Sequence, residues 1–275
     1  MNKLSIITIC YNEPNLEKTC QSIVNQTWQD FEWVVIDGGS NKETLDIFEK
    51  YKYRINKFIS EPDNGRYDAM NKGIKIADGE FLNFLNAGDY YFYNDALKDI
   101  FENKSYSSDI LYGNECVITE NLYSGDIWPM PDKITKDFLY LSTLRHQASF
   151  IKKNLFEKYG FYNDKMIIAS DYEKWFEFLE NGAIFERIPY TVTYFNLEGI
   201  SCNKKVRDVG QKERLKIINE HFTKQELELL KKKYGNKYKM RYSFFELLFS
   251  IKKTNDGTSK ILTFLGLHFY LKRKK

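Results

Sequence analysis

Three polar segments in the first third of the chain combine residue types that suit a phosphate-bearing ligand. In Asp37-Gly38-Gly39-Ser40 a carboxylate able to accept the imino hydrogen of a pyrimidine precedes glycines that let the backbone approach a ligand. The run 61–73 places Arg66 at a predicted helix start, where a helix N-terminus beside a cation favours a diphosphate. In Asn86-Ala-Gly-Asp89 the carboxylate suits Mg²⁺ or Mn²⁺, whose other ligands would be phosphates and water. Alone, each segment also fits a simple turn, a capped surface helix or a loop.

The elements that must position these segments alternate between strand and helix over the first hundred residues. Short apolar runs predict strands at 4–9, 31–36, 57–59 and 81–85, and helical patterns cover 14–26, 44–51 and 67–77. Such alternation implies right-handed crossovers and a mainly parallel sheet. Ligands bind at the carboxyl ends of the strands in these sheets, which is where the polar segments fall.

The second half has a looser pattern. It predicts strands across 109–119 and 183–195, helices at 154–159 and 171–181, and a loop over 123–137. From residue 204 onward the chain reads as helical and basic. We therefore predict an α/β fold with a Rossmann-like, mainly parallel sheet flanked by helices, followed by a basic helical C-terminal extension.

Charge is distributed unevenly along the chain. Residues 1–200 hold 21 Lys and Arg against 31 Asp and Glu, a sum of −10, whereas residues 201–275 hold 20 against 7, a sum of +13. The tail also contains two apolar runs, 244–251 and 261–271, with lysines on their flanks. Such segments can lie at an anionic membrane surface or pack on a protein, and we favour the membrane surface. No recognition motif supports nucleic-acid binding.

Several classes of protein are disfavoured by the sequence. The first strand leads into Cys10-Tyr11-Asn12-Glu13 rather than a Gly-x-Gly-x-x-Gly or P-loop motif, which disfavours a dinucleotide dehydrogenase or an ordinary NTPase. No apolar run reaches the roughly 18 residues of a membrane-spanning helix. The four scattered cysteines and the absence of an N-terminal signal pattern predict a cytoplasmic protein with reduced thiols.

Together the segments resemble the family 2 glycosyltransferases, which have the A-type glycosyltransferase (GT-A) fold. The matching stretches occur in the family's order and spacing, strongly over the first hundred residues and more weakly to about Gly199: they are Ser5–Glu13, Ser22–Thr27, Val35–Ser40, Asp63–Gly73 and Asn86–Asp89. The resemblance implies a catalytic domain over 1–200, with nucleotide-sugar binding in 1–100, the acceptor and catalytic half in 101–200, and the basic extension in 201–275.

The resemblance assigns donor-binding roles position by position. Tyr11 would stack on the base, Glu13 would lie near the ribose, and Asp37 would recognise the base edge. Arg66 would contact the diphosphate, while Asp68 and Asn71 would shape the donor pocket.

The resemblance places the metal ligand at Asp89, with Mg²⁺ or Mn²⁺ as cofactor. The family's usual Asp-x-Asp reads Asn86-Ala-Gly-Asp89 here, with a single carboxylate.

The same resemblance places the general base at Asp171, near the head of a predicted helix, with Glu173 as second choice. A base must lie within hydrogen-bond reach of the hydroxyl it deprotonates. Asp171 would also serve as a helix N-cap. His146, within Arg145-His146-Gln147, is assigned to one face of the acceptor pocket, although a lone histidine is often only structural.

These assignments predict an inverting glycosyltransferase that moves a sugar from a nucleotide-diphosphate sugar, with a UDP-sugar expected, to a hydroxyl of a lipid-linked surface-glycan intermediate. It would associate peripherally with the inner face of the cell membrane. The alternatives are a non-catalytic nucleotide-sugar binding protein and a sugar-phosphate nucleotidyltransferase.

Overall fold

Buried apolar strands form the centre of the protein. The computed structural model describes residues 3–119, 122–196, 204–235, 249–253, 259–264 and 267–272. The strands of the main sheet are β1 Leu4–Cys10, β2 Glu32–Asp37, β3 Lys57–Ser60, β4 Phe81–Phe84, β5 Tyr90–Tyr91, β6 Ile110–Thr119, β7 Leu122–Trp128, β8 Ser149–Lys152 and β9 Phe185–Asn196. Their order is β3-β2-β1-β4-β8-β6-β9-β5, with β7 paired to β6.

The sheet is parallel where the sequence predicted it to be. Strands β3, β2, β1 and β4 pair in parallel, with Cys10 opposite Asp37 at the carboxyl end of the β1–β2 pair. Strand β8 joins this half to β6 through antiparallel pairing on both sides. The β6–β9 pair is parallel, and its register shifts at Asn114. The predicted GT-A-like, mainly parallel sheet is thus confirmed.

Helices cover the sheet on both faces. The helices of the main unit are α1 Leu16–Val24, α2 Lys42–Tyr51, α3 Arg66–Ile76, α4 Ala96–Phe101, α5 Lys136–Leu141, α6 Lys153–Tyr159, α7 Ser170–Glu180 and α8 Lys204–His221, with a 3-10 turn at His146–Ala148. Ile6 and Val35 share a core cluster with α1 and α2. Their strand neighbours Ile7 and Ile36 instead meet α3, where a Cβ on Gly73 would lie 2.5 Å from Ile7. Each fully buried Ile or Leu stabilises this core by about 1.5–3 kcal/mol.

Two compact units divide the chain: Met1–Thr119 with Ser124–His221, and Glu120–Tyr123 with Phe222–Lys275. The first unit therefore extends through helix α8, past residue 200 where the sequence placed the end of the catalytic domain. The second unit contains α9 Lys224–Tyr234, which starts with a capping box between Thr223 and Glu226.

The C-terminal extension is helical only in part. Helices α8 and α9 agree with the expectation, but the described segments beyond them are the antiparallel strands β10 Phe249–Lys253, β11 Ser259–Phe264 and β12 Leu267–Lys272. The prediction of a wholly helical tail was wrong there, because short apolar runs fit a strand as well as a helix. The predicted loop over 123–137 is also partly regular, since β7 and the start of α5 fall within it.

Two further observations concern the cysteines and the length of the helices. Cys10, Cys20 and Cys116 are buried, and Cys202 lies outside the described residues. Among the helices that the structure describes, none is long and apolar enough to cross a membrane.

Candidate active site

Loops at the carboxyl ends of β1, β2 and β4 meet at one edge of the sheet. The Gly38 amide donates to the Cys10 carbonyl across 2.8 Å, and the Ala87 amide donates to the Ile9 carbonyl across 3.0 Å. Asn12 fastens the first two loops, since its amide donates to Ser40 Oγ and its side chain accepts from the Asn41 amide. The predicted polar segments therefore form one contiguous surface.

Tyr11 and Glu13 occupy the loop after β1. The Tyr11 ring is 65% exposed, as a ring that stacks on a ligand must be. Glu13 Oε1 accepts from the Asn15 amide, and the carboxyl packs against Gly88, where a Cβ would lie 3.3 Å from Glu13 Cδ. Gly88 also has a φ of +99°, which favours glycine. Glu13 thus lies beside the turn that carries Asp89.

Asp37 stabilises the loop that follows its own strand. Its buried carboxylate accepts from the Gly39 and Ser40 amides at 3.1–3.3 Å and from the Ser60 hydroxyl at 2.6 Å. A Cβ on Gly38 would lie 2.4 Å from Asp63 Oδ2, so this loop tolerates only glycine there without a shift. The structure assigns Asp37 a loop-fixing role, and its contact with a base edge stays a prediction.

The N-terminus of α3 carries Arg66 at its first position, after the N-cap residue Gly65. Asp68 accepts from the Asn64 amide at 3.0 Å and pairs with Lys72 at 3.6 Å, so it orders the preceding turn. Asn71 is buried, and its amide exchanges two hydrogen bonds with the Tyr162 backbone at 2.8 and 3.0 Å. Asn71 therefore links α3 to the backbone of Tyr162 inside the protein.

Asp171 lies in a hydrogen-bonded cluster built from four distant parts of the chain. The Tyr67 hydroxyl donates to its Oδ1 at 3.0 Å, and His146 Nδ1 lies 3.2 Å from its Oδ2. His146 Nε2 in turn lies 3.0 Å from Asn86 Nδ2. With Asn86 donating, Nε2 is the acceptor and Nδ1 carries the proton toward Asp171. The cluster thus joins the candidate base to the Asn86–Asp89 turn.

These contacts favour an ionised Asp171. Burial alone would raise its pKa, but His146, the Tyr67 hydroxyl and the Tyr172 amide outweigh burial and bring the pKa below its ordinary value. The N-cap of α7 is Ala169, and Asp171 is the second helical residue, so the alternative role as N-cap does not apply. Glu173, the second choice for the base, lines a different surface pocket with Glu177 and His221.

Asp89 interacts electrostatically with both acidic residues and arginines. Burial, Glu115 and Glu13 raise the pKa of Asp89 well above its ordinary value, while Arg66 and Arg145 act in the opposite direction. A cation bound here would attract these carboxylates and so offset the repulsion between them.

Glu115 is a buried acid that the sequence did not single out. It is 0% exposed, accepts from Gln147 Nε2 at 2.7 Å, and lies 3.3 Å from Arg145 Nε. Burial raises its pKa to about 7, against the opposing effect of Arg145. The Arg145 guanidinium also lies 5.6 Å from the centre of the Trp128 ring, so Glu115 and Trp128 both orient this arginine.

The residues around Asp89 fit a divalent ion that takes most of its ligands from outside the protein. In the described part of the chain, no group of three or more His, Cys, Asp or Glu residues is arranged to hold a metal. Asp89 instead supplies one carboxylate, and Asn86 Oδ1 is a buried acceptor without a hydrogen-bond partner among the described residues. These two oxygens have lone pairs available for coordination. They suit an ion whose remaining ligands are phosphates and water.

Apart from the exposed Tyr11, the predicted residues fall into three sets. Asp171 and His146 are brought together, and Glu13, Arg66 and Asp89 converge with Arg145 and Glu115. Asp37, Asp68 and Asn71 are engaged by protein groups, and their direct contacts with a donor stay predictions. Tyr67 and Asn86 were missed as partners of the base, because their contacts with the cluster span 104 and 60 residues of sequence.

Comparison with known proteins identifies the family. The model for glycosyl transferase family 2 matches residues 5–160, more than half of the chain. The chain belongs to glycosyl transferase family 2. The family predicted from the motifs is thereby confirmed.

Relatives of this transferase are 28% and 32% identical to it over the aligned residues. A PGL/p-HBAD biosynthesis glycosyltransferase of Mycobacterium bovis (strain BCG / Pasteur 1173P2) is 32% identical over 205 residues, covering 72% of this chain and 78% of the relative. An uncharacterized glycosyltransferase of Methanocaldococcus jannaschii is 28% identical over 199 residues, covering 67% of each.

Solved structures confirm the GT-A fold of the transferase. The S. aureus TarS 1–349 fragment in complex with UDP-GlcNAc superposes with a TM-score of 0.64 at 18% identity, covering 89% of this chain and 77% of that one. The match covers 44% of the longer TarS chain. A Pyrobaculum calidifontis mannosyltransferase in complex with GDP-Man and Mn²⁺ has a TM-score of 0.53 at 16% identity, covering 70% of this chain and 56% of that one.

Proposed function

We propose that this protein transfers a sugar from a nucleotide-diphosphate sugar to an acceptor hydroxyl, with inversion at the anomeric carbon. The observation that carries the proposal is the hydrogen-bonded chain Asn86–His146–Asp171, which links an ionised carboxylate to the turn bearing Asp89. A single displacement requires a base within reach of the attacking hydroxyl and a leaving group held in a fixed orientation, and this network connects the candidates for both.

In the proposed reaction, Asp171 accepts the proton of the acceptor hydroxyl as its oxygen attacks the anomeric carbon. The new carbon–oxygen bond forms on the face opposite the diphosphate. The bond to the diphosphate oxygen breaks, and its electron pair leaves with the nucleoside diphosphate. Arg66, at the N-terminus of α3, stabilises the charge that develops there.

Asp89, with Asn86 Oδ1 beside it in sequence, is the proposed holder of Mg²⁺ or Mn²⁺. When bound, the ion would neutralise charge on the departing diphosphate. The mannosyltransferase with Mn²⁺ supports the choice of ion, and the TarS complex with UDP-GlcNAc supports a UDP-sugar. The exposed Tyr11 ring is the proposed stacking surface for the base, with Glu13 on the ribose side and Asp37 at the base edge.

His146 has a second proposed role besides its contact with Asp171. It is 19% exposed at its side chain, so one face of the ring can still contact the acceptor. The favoured acceptor is a lipid-linked surface-glycan intermediate, because the tail combines apolar segments with excess positive charge. The register of the tail strands places Ile251, Leu262 and Phe269 opposite one another across the small sheet.

A panel of nucleotide sugars, assayed with Mn²⁺ or with chelator, tests the reaction class. We expect one donor to release its nucleoside diphosphate and the chelator to suppress that release by at least about tenfold. Pyrophosphate release from a nucleoside triphosphate would instead indicate a nucleotidyltransferase. Tight donor binding without turnover, in the presence of membrane extract as acceptor source, would indicate a binding protein.

A further inference from the structure

Helix α8 contacts the two segments that bring the base and its histidine together, and it lies beyond the region matched by the family model. Glu213 accepts three consecutive backbone amides, those of Ile167, Ile168 and Ala169, at 2.7, 3.0 and 3.0 Å. These residues lead directly into α7, in which Asp171 is the second residue. Glu213 therefore fixes the backbone of the N-cap residue Ala169 and of the two residues before it from a different helix.

The next residue of α8 holds the other segment. Arg214 Nη2 donates to the carbonyls of Leu139 and Ser142 at 3.1 and 2.7 Å, at the end of α5. Three residues, 143–145, separate Ser142 from His146. The Arg214 guanidinium also stacks over the Tyr172 ring at 4.2 Å, and the Tyr172 hydroxyl donates to the Leu139 carbonyl at 2.6 Å.

The approach of α8 is close. A Cβ on Gly210 would lie 2.4 Å from Ile168 Cγ2, so the helix backbone packs directly on the segment that precedes the base. Glu213 and Arg214 therefore fix both ends of the Asp171–His146 contact from one rigid element.

We propose that α8 is a positioning element for the proposed base: Glu213 and Arg214 hold the 167–169 and 139–142 segments so that His146 stays within hydrogen-bond reach of Asp171. This inference rests on the proposed role of Asp171. Glu213 acts through the backbone and touches neither donor nor acceptor in this account.

The substitution Glu213→Gln tests the inference, because its amide nitrogen cannot accept from a backbone amide. The matched control is Glu220→Gln on the same helix, where the exposed carboxylate lies 3.7 Å from Lys216 Nζ. The readouts are kcat, the KM for the donor identified in the panel, and the acid limb of the pH profile of kcat. The titratable groups that face Asp171 are His146, Tyr67 and Tyr162.

In Glu213→Gln we expect kcat to fall about 10–100-fold with little change in donor KM, because the base is displaced while the donor site is intact. The acid limb should move to higher pH, since Asp171 loses its hydrogen bond with His146. Adding Glu213→Gln to His146→Asn should then leave the limb unchanged.

An unmoved acid limb in Glu213→Gln, whatever happens to the melting temperature, overturns the inference and leaves α8 a stabilising helix only. Failure of the proposed function is separate: Asp171→Asn would then retain transfer. Loss of transfer in Asp171→Asn with an unchanged Glu213→Gln profile would refute the positioning role alone.

Discussion

Single side chains set the protonation state of the candidate base. A buried carboxylate would ordinarily bind a proton more tightly than in water, yet Asp171 is held ionised by donors from His146, Tyr67 and its own helix. Asp171 is thus charged at neutral pH and ready to accept a proton.

Replacing His146 should shift the pH dependence of transfer. His146 lowers the pKa of Asp171, so in His146→Asn that pKa rises and a larger fraction of the base is protonated in mild acid. We expect the acid limb of kcat to move to higher pH and kcat at neutral pH to fall by about tenfold or more. Measured pH–rate profiles of both proteins decide this, and coincident acid limbs would contradict it.

The sequence located the individual chemical groups better than their partners. Asp171, His146 and Asp89 were located by the resemblance of their sequence segments to those of the family. Tyr67 could not be singled out among 20 tyrosines, because its contact with Asp171 depends on how α3 packs against α7. Glu213 could not be singled out either. It accepts from three backbone amides that lie 44–46 residues before it in the sequence.

At the scale of elements, the register shift between β6 and β9 directs Glu115 into the protein. The register shifts on both sides of Asn114: β9 has two extra residues between the pairs Tyr112–Arg187 and Asn114–Thr191, and one between Asn114–Thr191 and Glu115–Thr193. Glu115 then reaches Gln147 and Arg145, next to the 3-10 turn of His146. A buried acid at a bulge thereby supports the loop that carries the histidine.

Glu115 should make the protein less stable as the pH rises. Its pKa is about 7 in the folded protein against 4.5 ordinarily, so the folded state prefers the protonated form. The stability this adds is complete below about pH 4.5 and is lost as the pH rises through 7. In chelator, Glu115→Gln should gain on the order of 1–3 kcal/mol relative to the parent between pH 5 and 8. Urea unfolding at several pH values measures this, with the exposed Glu157→Gln as control; parallel curves for all three proteins would refute it.

Helices and strands could be predicted where the hydrophobic pattern and the turn residues indicated the same boundaries. The first four strands and three helices match within a few residues, because each apolar run is short and bounded by Gly, Asn or Pro. The region 123–137 was predicted to be a loop because it contains two prolines. Pro129 and Pro131 lie between β7 and α5 and do not prevent either element from forming. The tail was misread as wholly helical because its apolar runs lack a clear period, and strand pairing decides such cases.

Over the whole chain, charge separates an acidic N-terminal segment from a basic C-terminal segment. Residues 1–200 sum to −10 and residues 201–275 to +13. An acidic catalytic surface does not attract an anionic membrane, so the basic part is the one suited to do so. The proposed result is an enzyme tethered by its tail, with its acceptor delivered at the lipid surface.

Neutralising the C-terminal charges should weaken this tether. Replacing Lys272, Arg273, Lys274 and Lys275 by Gln removes four positive charges, each contributing about 1 kcal/mol near anionic lipid. We expect binding to phosphatidylserine vesicles to weaken at least about tenfold, while donor hydrolysis stays unchanged. Vesicle sedimentation measures the binding, with neutral phosphatidylcholine vesicles as control. Equal binding of both proteins to both vesicles would argue that the tail contacts protein instead.

Transfer by Asp171→Asn, measured with the donor found in the panel, shows whether Asp171 is the base. The substitution keeps size and polarity but removes the group that accepts the proton. We predict donor affinity close to that of the parent and transfer reduced by about a hundredfold or more. Retained transfer with normal donor affinity would contradict the account and require a different base.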